Sequence, residues 1–387
     1  MRRHFKPFAT LVTAAFGLLL IVTAGFVPGL PPSQTAAAAS SKQEQFTYGL
    51  EHPTFRQSGQ LYVPLKEVAP LLDLQVGYDS NSKAVLVTGL QQFAKLNVGK
   101  SKAIGKNNVT VSLGAPVRVI KGNTYVPATL FAKMFGVPIT VQNAKEPQVI
   151  SAAYASKYLT MRTGDMLFWM NRTQGTLYAG LNGQLPAKAG KVTLQSPDWL
   201  GGKARQVDDS TYVLDINNAH GEPHIFNDWC RVLIHDGKAV QQAVMSFGGP
   251  SFVNLMENAT SSEGLIVLND GHQAKLVTPE GKLAETLNLD QLGGAEDVYS
   301  LEAMEKDFLL IRPYSTGRLL LIDRQSGERT ALYLSLLDQE TIERLESDDM
   351  GLDDGLAYTG RSGSVLNFSW HPPFSSETET KSFDMSK

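Results

Sequence analysis

The sequence predicts two folded parts in series: a small α+β domain with an internal repeat over residues 45–155, then an all-β domain over residues 160–371. Three observations carry this reading. A Tyr-Val-Pro segment occurs twice, at Tyr62, Val63, Pro64 and at Tyr125, Val126, Pro127, with apolar residues kept in register around it. Beyond residue 160, short apolar stretches alternate with Gly-containing turns, and helical spacing is scarce. The charge also changes sign: residues 42–158 hold 13 Lys and Arg against 6 Asp and Glu, residues 159–387 hold 19 against 32. A contrast of that size points to separate domains with different surroundings.

Ahead of both parts stands a targeting segment, residues 1–39. Arg2, Arg3 and Lys6 precede an uncharged apolar run from Phe8 to Val27, and Ala36, Ala37, Ala38 and Ala39 follow. A basic start, an apolar middle and small residues at −1 and −3 make a secretory signal peptide cleaved near Ala39. The alternative is an uncleaved membrane anchor over residues 8–27, since 20 apolar residues can just span a bilayer. The rest of the composition is globular: 42% hydrophobic and 19% charged residues exclude wholesale disorder, and a mean hydropathy of −0.13 with one long apolar run excludes a multi-span membrane protein. The single cysteine, Cys230, excludes intrachain disulfides and Cys-rich zinc modules. A large secreted chain without disulfides suits a Gram-positive exterior.

The repeat has a shift of 63 residues. Val68, Ala69 and Leu72 recur as Phe131, Ala132 and Phe135, so each Tyr-Val strand leads through Pro into a helix of about two turns. Gly136 suits the left-handed position that ends the second helix, and Asp73 stands at that position in the first. A strand returns at Val76–Tyr78, turns through Asp79–Lys83 and continues at Ala84–Val87. Between the copies, residues 94–99 and 109–113 read as a hairpin around Lys106, Asn107 and Asn108, and residues 118–125 as a second hairpin with a Gly-Asn turn.

This strand–Val-Pro–helix–strand pattern, repeated around a central hairpin and ending in Gly122-Asn123-Thr124-Tyr125-Val126-Pro127, resembles the copper amine oxidase N-terminal domain, also called the stalk domain. Tyr78-Asp79 fits the family's aromatic-Asp pair, whereas Lys66 and Thr129 stand where members usually carry Arg. The resemblance implies a small α+β module used for attachment or spacing on secreted Gram-positive proteins. In the oxidases themselves the copper and the quinone lie in another domain. The cofactor-forming Asn-Tyr dipeptide is absent from this sequence, so an active copper amine oxidase is not expected.

In the β-rich part, Gly183, Gly237, Gly281 and Gly327 follow strands at spacings of 54, 44 and 46 residues. Propeller blades repeat at about 40–50 residues, so a small β-propeller-like fold is expected, with a two-sheet β-sandwich as the alternative. Residues 336–345 read as one short helix, residues 346–355 as a solvated acidic loop and residues 375–387 as a disordered tail.

Chemistry-bearing motifs are scarce. His220, His224, Asp228, Cys230 and His235 form the one metal-like cluster, but Gly221 and Pro223 deny it helical His spacing. Asp348, Asp349, Asp353 and Asp354 do not fit an EF-hand loop. No catalytic residue, cofactor or metal is therefore assigned. Lys95, Lys100, Lys102, Lys106, Arg118 and Lys121 are the candidates for contact with an anionic cell-wall polymer. The expected function is a secreted or envelope-associated binding protein, the β-domain taking a ligand or a protein; an envelope hydrolase with its site in the β-domain loops is the alternative. Location and the acidic larger domain disfavour nucleic acid.

Overall fold

The computed structural model describes residues 45–142, 149–249, 253, 255, 258–347, 351–372 and 377–386. The signal segment, Asp348 and Asp349 lie outside the described residues. The described residues all belong to one compact unit, Glu44–Lys387.

Residues 46–152 build three small antiparallel sheets and two helices. Phe46–Gly49 pairs with Val149–Ala152, which pairs in turn with Ile139–Val141. The first Val-Pro strand, Gln60–Pro64, lies directly against the second, Asn123–Pro127, with Val63 opposite Val126 and both fully buried. Helices Leu65–Leu71 and Thr129–Phe135 follow the two strands. Val63, Leu65, Val68, Val126, Leu130 and Phe131 share one core. Fixed φ makes Pro64 a ready helix entry, and its ring nitrogen has no N–H to leave unsatisfied. The turn after Arg118–Ile120 is centred on Lys121 and Gly122, at φ 49° and 82°, one residue earlier than the expected Gly-Asn turn. Two successive positive φ values match the right-handed twist of the strands they join.

The central hairpin expected between residues 94 and 113 is a longer meander. Gln75–Asp79, Ala84–Thr88, Phe93–Leu96, Lys102–Ile104 and Thr110–Ser112 form a five-stranded sheet in chain order. The strand Lys102–Ile104, too short and too charged to register as an apolar stretch, separates the two segments that were expected to pair.

Gly136 ends the second helix at φ 72°, and Asp73 occupies the same left-handed region at φ 56° after the first. Such a conformation is strained for most side chains but is visited by Asp and Asn. Asp73 is 5% exposed. Its carboxylate accepts from Tyr154 Oη (2.7 Å), Ser156 Oγ (2.6 Å), Lys157 N (2.7 Å) and Tyr158 N (3.2 Å), and its carbonyl accepts from Trp169 Nε1 at 2.7 Å. Gln75 Nε2 donates to Phe168 O (2.9 Å) and Gly183 N to Thr88 Oγ1 (2.9 Å) beside it. One acidic residue thereby turns a helix end into a joint with the β-rich part.

The β-rich part is five antiparallel meanders that follow the chain, within residues 158–191, 199–248, 261–288, 299–331 and 356–384. The first four have four strands and the last has three. Apolar residues on the facing sides let successive sheets pack against one another. Leu159, Phe168 and Leu177 meet Leu214, Cys230 and Val232 between the first and second sheets. Val213 and Leu233 meet Ile266 and Leu268 between the second and third. Val267 and Leu276 meet Leu309 and Ile311 next, and Phe308 and Leu310 meet Leu366 and Phe368 last. The strands are thus divided among small sheets stacked in series rather than between two sheets.

Three expectations need correction here. The tail is not a disordered one throughout: Glu379–Asp384 is the third strand of the last sheet, paired along Val365–Trp370, with Lys381 Nζ 4.5 Å from the Trp370 ring centre. The single helix at 336–345 is two, Leu332–Leu336 and Gln339–Glu346, because Asp338 caps the second by accepting from Thr341 N at 2.9 Å. The acidic loop is not simply solvated, since Asp354 is fully buried. Arg312, also fully buried, bonds Asp354 Oδ1 (2.5 Å) and Glu302 Oε1 (2.5 Å), and donates to Gly317 O at 2.7 Å. Asp354 Oδ2 accepts from Leu319 N, and its carbonyl from Trp370 Nε1, so this network ties the fourth sheet to the fifth.

Candidate functional site

The strands of the second sheet run 8 to 11 residues, long enough to carry a polar surface beside the apolar one. Antiparallel register places Lys203, Asp215 and Arg231 side by side across three strands. Two residues along, on the same face, it places Gly201, Asn217 and Trp229. Asn258 and Asn269 reach this face from the third sheet and the segment before it. Lys203, Asp215, Asn217, Trp229, Arg231, Asn258 and Asn269, together with Gly202, Ile216 and Cys230, line a cleft of about 450 Å³.

Most polar groups in the cleft are held rigidly. Arg231 Nε donates to Asp215 Oδ1 at 2.5 Å, and its Nη1 to Ala259 O (2.6 Å) and Val267 O (3.0 Å). Asn269 Nδ2 donates to Asn258 Oδ1 (2.9 Å) and Tyr299 O (2.8 Å), and Asn258 Oδ1 also accepts from Leu301 N. Asp215 Oδ2 is buried without a hydrogen-bond partner, as is Arg205 Nε. Burial lowers the affinity of the Arg205 guanidinium for its proton, Asp215 opposing that and Arg231 adding to it. A ring fixed by an edge-on contact with Phe247 (4.9 Å, 84°), Trp229 supplies the apolar side. A cleft of this size with convergent polar groups and an aromatic wall can hold a small organic molecule.

None of these residues stands out in the sequence as a motif. The available signal was polar residues at alternate positions, Asp215 and Asn217 on one strand and Trp229 and Arg231 on the next, within otherwise apolar strands.

The candidates singled out in the sequence are placed as follows. Tyr62, Val63, Pro64, Tyr125, Val126 and Pro127 lie in the paired central strands of the first module, with both tyrosines buried. Tyr62 Oη donates to Pro116 O at 3.0 Å, and its ring stacks on Phe55. These are packing residues. Of the six basic candidates, Lys95 pairs with Asp79 (3.4 Å) and Arg118 sits 5.8 Å over the Tyr62 ring; Lys100, Lys102, Lys106 and Lys121 are exposed. Arg118 lies in a different sheet from Lys95 and Lys102, with Lys121 in the turn that follows it, while Val117 N donates to Lys100 O at 2.9 Å.

The histidines are not brought together. His220 and His235 sit at opposite ends of a ten-residue strand pair. His220 Nε2 is 3.4 Å from Asp228 Oδ2, whose carboxylate is held by Asn218 and Ser246. Among the described residues no group of three or more His, Cys, Asp or Glu converges as metal ligands would, so the three imidazoles a copper site wants are not assembled. Cys230 is 2% exposed, and burial, aided by Asp228 and Asp215, pushes its thiol up to about 12. A disulfide-exchange reagent will therefore leave Cys230 unlabelled in the folded protein and label it once denaturant is added; labelling of the native form would show a more open site. Among the described residues no helix is long and apolar enough to cross a membrane.

No curated protein matches the sequence. Among solved structures, a protein of unknown function from Bacteroides caccae shares 8% identity at a TM-score of 0.26, over 77% of this chain and 91% of that one. Dihydro-heme d1 dehydrogenase NirN, in complex with DHE, shares 11% at 0.20, over 66% of this chain and 65% of that one. Citrobacter koseri AztD shares 9% at 0.22, over 66% and 77%. Residues 42–151, the first module, match the family model of the copper amine oxidase N-terminal domain.

Proposed function

We propose that this is an exported, envelope-associated binding protein whose β-rich part holds a small ligand between its second and third sheets. The cleft around Asp215, Asn217, Trp229 and Arg231 is the observation that carries the reading. The serial face packing of the five meanders supports a small propeller-like arrangement, in which loops and sheet edges are free to vary around a common scaffold. The basic start, apolar run and alanines before residue 40 support secretion, and the single buried cysteine suits a Gram-positive exterior. Export is tested on the protein recovered from its source: a mature N-terminus between Ala37 and Ser41 is expected, and an intact Met1 in a membrane fraction overturns cleavage.

The first module is the attachment element in this reading. Lys100, Lys102, Lys106 and Lys121 are its exposed cations among the six candidates. Binding of the mature chain to anionic wall polymer is expected to fall as salt shrinks the screening length from about 10 Å at 0.1 M to about 3 Å at 1 M. Changing those four lysines to glutamine should weaken sedimentation with purified wall several-fold. Retention that ignores both salt and the substitutions removes electrostatic attachment.

A further inference from the structure

Resting on the reading of the cleft as a ligand site, we infer that its ligand is a neutral, hydroxyl-bearing ring, a sugar unit laid against Trp229. The first argument is charge. Across the register the polar row alternates: Lys203 positive, Asp215 negative, Arg231 positive. An anion drawn to either cation meets the Asp215 carboxylate between them. A cation drawn to Asp215 is flanked by Lys203 and Arg231, with Arg205 on the same face of the first strand. A neutral ligand meets neither penalty.

Hydrogen-bond capacity is the second argument. Asp215 Oδ2 has no partner and can only accept. Asn258 Nδ2 can only donate, and it has the thioether of Met245 at 3.9 Å, a weak acceptor. Asn217, exposed, offers both an oxygen and an amino group. Donors and acceptors thus share one lining, which suits a hydroxyl because each one both donates and accepts.

Shape supplies the third. Gly201 lets the Asn217 side chain lie close over the first strand: a Cβ there would come within 2.6 Å of Asn217 Oδ1. The Trp229 ring, held edge-on by Phe247, is a rigid apolar wall for the C–H face of a saturated ring, while the ring's hydroxyls point sideways to the amides. A cavity of about 450 Å³ accommodates such a ligand.

The test compares one ring in three charge states. The mature chain is titrated with glucose and N-acetylglucosamine, with glucosamine, and with glucose 6-phosphate, followed by ligand-observed NMR. The neutral sugars are expected to bind most tightly, with the charged ones weaker. Asn217→Ala, an exposed site that does not threaten folding, should weaken the neutral sugars about tenfold, the worth of one good hydrogen bond. Equal or tighter binding of either charged sugar, or no binding of any sugar, overturns the ligand class. A thermal-shift screen with a diverse fragment set then separates the two readings. Hits lost in Asn217→Ala keep the cleft as a binding site for another chemistry, and no Asn217-dependent hit overturns the cleft reading as well.

Discussion

Replacing Arg312 with methionine is expected to destabilise the protein by about 3–5 kcal/mol, the usual loss when one partner is taken from a buried ion network. The guanidinium is fully buried and stands between Glu302 and Asp354, so its removal leaves two buried carboxylates facing each other. Burial alone would lower the basicity of Arg312, but the charges of Asp354 and Glu302 raise it above the ordinary arginine value. Glu302→Gln should be far milder. Burial raises the Glu302 carboxyl above its usual range despite Arg312, with Asp354 and Asp353 adding to the rise. The folded state therefore holds that proton more tightly than the unfolded chain. Stability from this group is unaffected below the unfolded value of about 4.3 and declines as pH rises above it toward the folded value. Urea denaturation from pH 4 upward should show that decline in the natural protein and a flatter profile in Glu302→Gln. A methionine variant as stable as the parent would show that the network contributes little.

The second large effect is at Asp73. Asp73→Ala removes the acceptor for two backbone N–H groups and two hydroxyls and places alanine at φ 56°. The unsatisfied groups and the left-handed backbone together should cost about 3–5 kcal/mol. Asparagine keeps one acceptor oxygen and tolerates the backbone, so Asp73→Asn should lose least. Asp73→Gly relieves the backbone alone and should fall between. Denaturation midpoints give the order, and limited proteolysis should find new cleavage between residues 152 and 158 in the alanine variant. Three equal midpoints would show that neither the carboxylate nor the φ value matters.

Asp73 also shows what a sequence can and cannot reveal. Its position was legible, because it stands where Gly136 stands after the other helix. Its partners were not: Tyr154 and Trp169 lie 81 and 96 residues further on. The two Val-Pro strands were readable from local pattern, since Pro fixes a helix entry and apolar spacing marks the buried side. Lys102–Ile104 and Glu379–Asp384 escaped because short or edge strands with one wet face carry no apolar run; only Phe383 and the Lys381 stem mark the latter. Asp354 looked like part of a charged loop because nothing nearby announces Arg312, 42 residues away. The cleft was hidden for a related reason. Its polar row exists through cross-strand register, and register is set by which face each strand buries, not by any motif.

The pairing of Phe46 with Ala152 has a mechanical consequence. Antiparallel partners lie about 5 Å apart, so the chain enters and leaves the first module at nearly one point. The module is therefore a lobe carried beside the chain's path, and adds almost no reach between whatever holds residue 45 and the β-rich part. Tension applied there would pull the two strands apart from their shared end, opening Phe46–Ala152, then Thr47–Ser151, then Tyr48–Ile150 in turn. Such peeling loads one rung at a time and yields at low force. Sustained load is better borne if the anchoring contact is on the lobe's own surface, downstream of that seam, than if it passes through the N-terminal strand.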